Sequence, residues 1–214
     1  MPMSLNGNDR WRPAMPLILE GIVTTCSAAG DLNIAPMGPI VDASMTWLRL
    51  RPYQTSTTFS NLKATRAGVF HVIDDVLLIA QAALDGFEPH GTASRPLTQP
   101  AITVSGQVLT AAARWYEFHV ESIDDSTARS EIHCQIRHTG QLRELFGFHR
   151  ARHAVLEATI LATRCHLIPE ADIRRQLAEL QVIVAKTAGT QEWAAWQYVE
   201  SYIDTQYRNQ RALP

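Results

Sequence analysis

The stretch WYEFHVESIDDSTARSEIHCQIRH, residues 115–138, decides the fold. In its first half Tyr116, Phe118 and Val120 alternate with Glu117, His119 and Glu121. In its second half Ile132, Cys134 and Ile136 alternate with Glu131, His133, Gln135 and Arg137. A period of two, with one apolar and one polar face, marks antiparallel strands with one side on a core and the other in water. Asp124, Asp125 and Ser126 supply the turn between them.

Further strands precede this hairpin. LILEGIVTT (17–25) is rich in aliphatic and β-branched residues, Ala29-Gly30-Asp31 is a turn signal, and NIAPMG (33–38) returns as a second strand. SMTWLRL (44–50) alternates again and is closed by Arg51-Pro52, where proline removes a ladder donor. TSTTFSNLKATR (55–66) reads as a helix whose N-cap is Ser56, Thr57 or Thr58. VFHVI (69–73) is a strand, and Asp74-Asp75 opens a short apolar helix, VLLIAQAAL (76–84). Residues 85–101 hold three prolines and two glycines and read as a long loop.

After the hairpin the period changes. Ala151, Val155, Ala158 and Leu161 recur at helical spacing, as do Ile173, Leu177, Leu180 and Val184, and then Trp193, Trp196, Ile203 and Tyr207. The expected organisation is a polar leader over 1–16, an antiparallel β-barrel domain over 17–148 and a helical segment over 149–214. The fold class is α+β, mainly β.

The chain of 214 residues is long enough to bury a core without a disulfide or metal staple. Nineteen Lys and Arg against 21 Asp and Glu leave a net charge of -2, which argues against a nucleic-acid binder and against a polybasic membrane anchor. Cys26, Cys134 and Cys165 are far apart and form no C-x-x-C pair, which suits a reducing compartment. No apolar run approaches the roughly 20 residues that span a bilayer. A cytoplasmic protein is the expectation.

The chemistry concentrates in RPYQTSTTFSN (51–61). A helix N-terminus offers unpaired N–H groups and a partial positive charge, Ser56, Thr57 and Thr58 add hydroxyls, and Arg51 adds a guanidinium. This set makes either a phosphate cradle or an amply capped surface turn. In NIAPMG (33–38), Pro36 interrupts a strand, leaving backbone groups for a planar ligand or forming a plain edge. His149 and His153 stand four apart on a helix, but position 150 is Arg rather than the Glu of H-E-x-x-H, and no metal site is expected. His119 and His133 read as cross-strand neighbours, Glu157 and Arg164 as a structural polar link, and Cys134 as inert core. No G-x-S-x-G, G-x-G-x-x-G or Walker loop occurs, so a hydrolase, Rossmann or NTPase reading has no support.

Three ordered motifs carry a resemblance: ILEGIVTTCSAAGDLNIAPMGPI (18–40), LRLRPYQTSTTFSNLKATRAGVFHVIDDVLLIAQAAL (48–84) and FHRARHAVLEATILATR (148–164). Together they resemble the domain of unknown function 447 family, within the FMN-binding split-barrel proteins that include flavin reductases and pyridoxamine-phosphate-oxidase-like enzymes. The resemblance implies a homodimer of six-stranded split barrels with one FMN per subunit. It places the FMN phosphate at Ser56, Thr57, Thr58 and Asn61 with Arg51 nearby, and the ribityl and ring face along Asn33, Ile34, Ala35, Pro36 and Met37. Thr24 and Thr25 would reach the ring, and Asp75 would lie at its edge. The family often has asparagine where this chain has His149. The implied activity is an FMN-dependent oxidoreductase drawing on a nicotinamide nucleotide or another small electron donor, with no catalytic residue assignable. The alternatives are a non-catalytic flavin-binding module and an interaction protein acting through its C-terminal helices.

Overall fold

Only Gly38 and Pro39 separate strand β3 (Leu32–Met37) from strand β4 (Ile40–Val41). The computed structural model, which describes residues 17–87, 94–145 and 147–212, nevertheless puts β3 at one end of a sheet and β4 next to its other end. Three Cα–Cα steps span at most about 11 Å. The sheet must therefore curl until its two ends meet, which makes it a barrel.

The other strands of this sheet are β1 (Leu17–Ile18), β2 (Gly21–Cys26), β5 (Trp47–Leu50), β6 (Ala67–Val72), β9 (Arg114–Asp124) and β10 (Glu131–Gln141). Their order is β1-β4-β5-β10-β9-β6-β2-β3, and every pairing is antiparallel. Eight strands replace the expected six. The expected strand over 17–25 is split at Leu19 and Glu20, where the Leu19 amide donates to the Pro39 carbonyl at 3.2 Å. Strands of two residues, such as β1 and β4, are too short to show an alternation. A separate ribbon pairs β7 (Thr98–Pro100) with β8 (Gln107–Leu109). It occupies part of the expected loop 85–101, of which residues 88–93, like the expected leader 1–16, lie outside the described residues.

Val23, Leu48, Leu50, Phe70, Phe118, Val120, Ile132 and Cys134 meet in one buried cluster with Phe59 and Leu62 of helix α1 (Thr57–Thr65). Several strands and one helix thus fill the barrel interior. Helix α2 (Val76–Leu84) is apolar but for Gln81 and has no exposed residue, because it lies between the barrel and the helical half. Ile79 and Leu78 pack with Ile22, Ile73 and Leu109 of the barrel, while Val76 and Ala80 pack into the helical half. That half comprises α3 (Arg150–Ala162), α4 (Glu170–Thr187) and α5 (Thr190–Ala212), joined through Val155, Ile173, Leu177, Trp196 and Ile203. Among the described residues no helix is long and apolar enough to cross a membrane.

One expected water-facing side chain is buried. Glu117 is 0% exposed, and its carboxylate accepts from the Ile102 amide, the Thr103 amide and hydroxyl, and the Trp115 indole N–H at 2.5–3.0 Å. The alternation assigned Glu117 to the solvent face correctly in direction. A segment returning after β7 covers that face, and a pairwise reading of the hairpin cannot show it.

Candidate functional site

A cavity of about 510 Å³ opens where the barrel meets the helices. Its walls come from β1, β2 and the link between them (Ile18, Glu20, Gly21), from Ala35, Pro36, Met37 and Gly38, from the approach to α1 (Arg51, Pro52, Tyr53, Ser56, Thr58), from α2 (Ile79, Ala83), and from the second half of α3 with the residues just after it (Leu156, Thr159, Ile160, Thr163, Arg164). That size is within the roughly 300–1,000 Å³ range of small-molecule sites.

The α1 end of the cavity gathers hydrogen-bond donors and positive charge. Ser56 is the N-cap: its Oγ accepts from the Phe59 amide at 3.2 Å and donates to the Tyr53 carbonyl at 2.7 Å. The Ser60 amide bonds the Ser56 carbonyl, so the Thr57 and Thr58 amides have no helical acceptor. No acidic side chain lies in this first turn. The charged groups lining the cavity are Arg51, Arg129 and Arg164 against the single carboxylate of Glu20. Arg129 is held by its Nε, which donates to the Arg51 carbonyl at 2.9 Å, and its guanidinium sits 5.5 Å from the Tyr53 ring centroid.

The cavity floor depends on glycine. A Cβ at Gly21 would lie 2.3 Å from the His71 carbonyl oxygen, and one at Gly38 would lie 2.8 Å from Glu20 Oε1 and 2.9 Å from Ile18 Cγ2. Burial, and then the Glu157 carboxylate, push the Glu20 carboxyl above its ordinary value.

Of the thirteen residues expected at the site, Ala35, Pro36, Met37, Arg51, Ser56 and Thr58 line the cavity together. The others stand behind it or elsewhere. Thr25 Oγ1 accepts from Asn61 Nδ2 at 3.1 Å and from Asn33 Nδ2 at 3.3 Å, and Asn33 Nδ2 also donates to Thr58 Oγ1 at 3.0 Å. This cluster ties β3 to the start of α1, fixing the strand wall against the anion end. Thr24 is fully buried and donates to the Gln107 carbonyl at 2.6 Å. Ile34 packs beside Ile22 and Ile79. Thr57, the first helical residue, does not line the cavity, though its amide at the helix start has no helical acceptor. Asp75 caps α2 by accepting from the Leu78 amide at 2.9 Å, so its carboxylate is engaged away from the cavity.

Arg129, Tyr53, Arg164 and Glu20 escaped the sequence reading. Arg129 lies far along the chain and reaches the site through an isolated bridge between Tyr53 and Arg129, which no local pattern announces. Arg164, expected to face Glu157, lines the cavity instead. His149 is the N-cap of α3, its Nδ1 accepting from the Arg152 amide at 3.4 Å. Among the described residues no group of three or more His, Cys, Asp or Glu side chains could hold a metal ion.

Two family models match consecutive parts of the chain. The N-terminal domain of the protein of unknown function DUF447 covers residues 19–143, and the DUF447 C-terminal model covers 149–201. A comparison with curated proteins found no match. Among solved structures, an FMN-bound DUF447 protein from Methanosarcina mazei is 21% identical, covers 88% of this chain and 96% of its own, and superposes with a TM-score of 0.72. The flavin reductase HpaC complexed with NADP+ is 14% identical, covers 61% of this chain and 83% of its own, with a TM-score of 0.50. Nitrilotriacetate monooxygenase component B from Mycobacterium thermoresistibile is 12% identical, covers 60% and 72%, and scores 0.50. At these identities the likeness is one of fold.

Proposed function

The chain belongs to the DUF447 family, and from its cavity we propose that it binds FMN and acts as a flavin-dependent oxidoreductase. The observation that carries this reading is the meeting, in one cavity, of an anion site and a flat, mostly apolar wall. The donors suit a phosphate of up to two negative charges: Arg51, Arg129 and the amides of Thr57 and Thr58. Ala35, Pro36 and Met37 suit a planar ring with polar edges, because Pro36 offers no amide and Met37 adapts its shape. The FMN-bound relative of the same fold and family supports the assignment.

In this reading Arg51 and Arg129 hold the phosphate, and the Asn33–Thr58 bond keeps the ring wall in register with them. Flavin supplies hydride and single-electron transfer through its ring, so the chain needs no acid–base dyad of its own. Ile79, Ala83, Leu156 and Ile160 present an apolar wall opposite β3, which excludes water from the ring side. The electron donor is a nicotinamide nucleotide or another small molecule. The active form is a cytoplasmic homodimer: Leu17 and Ile18 are 53% and 45% exposed on an edge strand beside the cavity, and a second subunit would cover them.

Titration of the purified chain with FMN, followed by quenching of flavin fluorescence, tests the binding. Saturable uptake at one FMN per chain is expected. Anaerobic mixing of the loaded protein with NADH or NADPH then tests the activity, and bleaching of the flavin band at a catalytic rate is expected. A loaded protein that no common donor reduces would be a binding module instead.

A further inference from the structure

The turn between β9 and β10 reads DSTARS over residues 125–130, and residues 125–129 are all exposed. It holds no large apolar side chain, so burial does not set its position. Hydrogen bonds from outside the hairpin do.

Gln54 supplies three of them. Its Nε2 donates to the Asp125 and Thr127 carbonyls, each at 2.7 Å, and its backbone amide donates to the Ala128 carbonyl at 3.0 Å. Two carbonyl oxygens at that distance admit only the NH2 group of a carboxamide, and both of its hydrogens are used. Among the described residues, no other group from outside the hairpin bonds the backbone of 125–128. The Lys63–Asp125 ion pair also reaches this turn, but it is exposed and contributes little in water.

The residue after Ala128 is Arg129. Its Nε is spent on the Arg51 carbonyl, which leaves the two terminal nitrogens for an anion in the cavity that Arg129 lines. Gln54 does not line that cavity, although Tyr53 and Ser56 on either side of it do. The start of α1 is held separately, by the bonds of Ser56 to Tyr53 and Phe59, which the Gln54 side chain does not join.

We propose that Gln54 is a positioning residue for the flavin phosphate. It fastens the β9–β10 turn at the mouth of α1, sets where Arg129 meets the phosphate, and so makes the chain select a phosphorylated flavin over an unphosphorylated one. The role rests on the FMN reading, whereas the fastening of the turn does not. Its effect passes through Arg129 and leaves the ring wall at Ala35, Pro36 and Met37 untouched.

The test is fluorescence titration of the full chain with FMN and with riboflavin, in the wild type, Gln54→Ala, Gln54→Glu, Arg129→Ala and the double variant Gln54→Ala with Arg129→Ala. Gln54→Glu keeps the side-chain length and turns carboxylate oxygens toward two carbonyls. Gln54→Ala decides the matter where Gln54→Glu does not fold. In each Gln54 variant FMN affinity is expected to fall about three- to tenfold while riboflavin affinity stays within about twofold. In the Arg129→Ala background, adding Gln54→Ala is expected to change FMN affinity by less than about twofold, because the group it positions is gone. Equal losses for both flavins, the same loss repeated in the double variant, or unchanged FMN affinity in the Gln54 variants overturns the proposal and leaves the flavin reading intact. A wild type that takes up neither flavin, or both equally, overturns the flavin reading and the proposal with it.

Discussion

Arg129 donates from Nε to the carbonyl oxygen of Arg51 at 2.9 Å, and both guanidinium groups line the same cavity. The turn after β9 is thereby fastened to the approach to α1, and in the proposed site two cations distant in sequence would share one phosphate. Replacing Arg129 with alanine removes a charge from the cavity and the bond that anchors this turn. A charge-assisted contact is worth about 1.5–3 kcal/mol, less at an exposed position such as Arg129, so FMN affinity should fall about tenfold. Fluorescence titration of Arg129→Ala checks this; an unchanged dissociation constant would mean that the phosphate lies elsewhere.

Glu117 should set part of the acid limb of stability. Its four donors outweigh the burial that would raise it and hold its carboxyl at about 2, against an ordinary 4.5. The unfolded chain then takes up a proton first as pH falls, so the stabilisation is complete above about 4.5 and is lost as pH drops toward 2. The full effect is at most about 3 kcal/mol. Glu117→Gln points an amide N–H at donors, and should lower the melting temperature at neutral pH while flattening its dependence below pH 4.5. Thermal denaturation across pH reads both.

His71 acts in the same direction at higher pH. It is fully buried between the Ile22 carbonyl, 3.1 Å from Nδ1, and the Leu109 amide, which donates to Nε2 at 3.1 Å. An accepting Nε2 requires the proton on Nδ1, so the ring is neutral. Burial lowers its value from 6.5 to about 4, and the Ile22 bond offsets this only in part. The unfolded chain binds the proton first between these values, and stability should decline as pH falls from 6.5 toward 4. His71→Leu should be less stable at neutral pH by about 2–4 kcal/mol, because it leaves a buried carbonyl and a buried amide unpaired, and should lack this part of the decline. Urea unfolding at pH 7 and 5 separates the two effects.

The two floor glycines should respond differently. At Gly21 the added methyl would meet backbone, the His71 carbonyl at 2.3 Å, so Gly21→Ala should lose several kcal/mol or fail to fold. At Gly38 it would meet the movable ends of Glu20 and Ile18, so Gly38→Ala should fold and bind FMN less well by narrowing the cavity. Circular dichroism and FMN titration of both variants distinguish these outcomes; equal folding of the two would show that β2 and β6 can separate at Gly21.

Much of this architecture is legible in the sequence because its signals are local. The alternation in 115–138, the mostly apolar α2 and the stripes of α3, α4 and α5 each depend on neighbours within a few residues. Arg51, Ser56 and Thr58 were legible for the same reason, since a cap and its hydroxyls announce a helix start. What could not be read depends on closure. The approach of β4 to β3 across Gly38 and Pro39, the arrival of Arg129 beside Tyr53, and the covering of Glu117 by residues 102–103 all follow from how the sheet curls. Thr25, Asn33 and Asn61 show the boundary well: their polarity marks the region of the site, but their hydrogen bonds to one another and to Thr58 make them its brace.

In the proposed site the cavity between barrel and helices takes a flavin by its phosphate. Titration of the full chain with FMN and, in parallel, with riboflavin, which lacks the phosphate, tests it most directly. One FMN per chain and markedly weaker riboflavin binding are expected, with Arg51→Ala narrowing the gap between the two ligands. Equal affinity for both ligands, or no uptake of either, would contradict it.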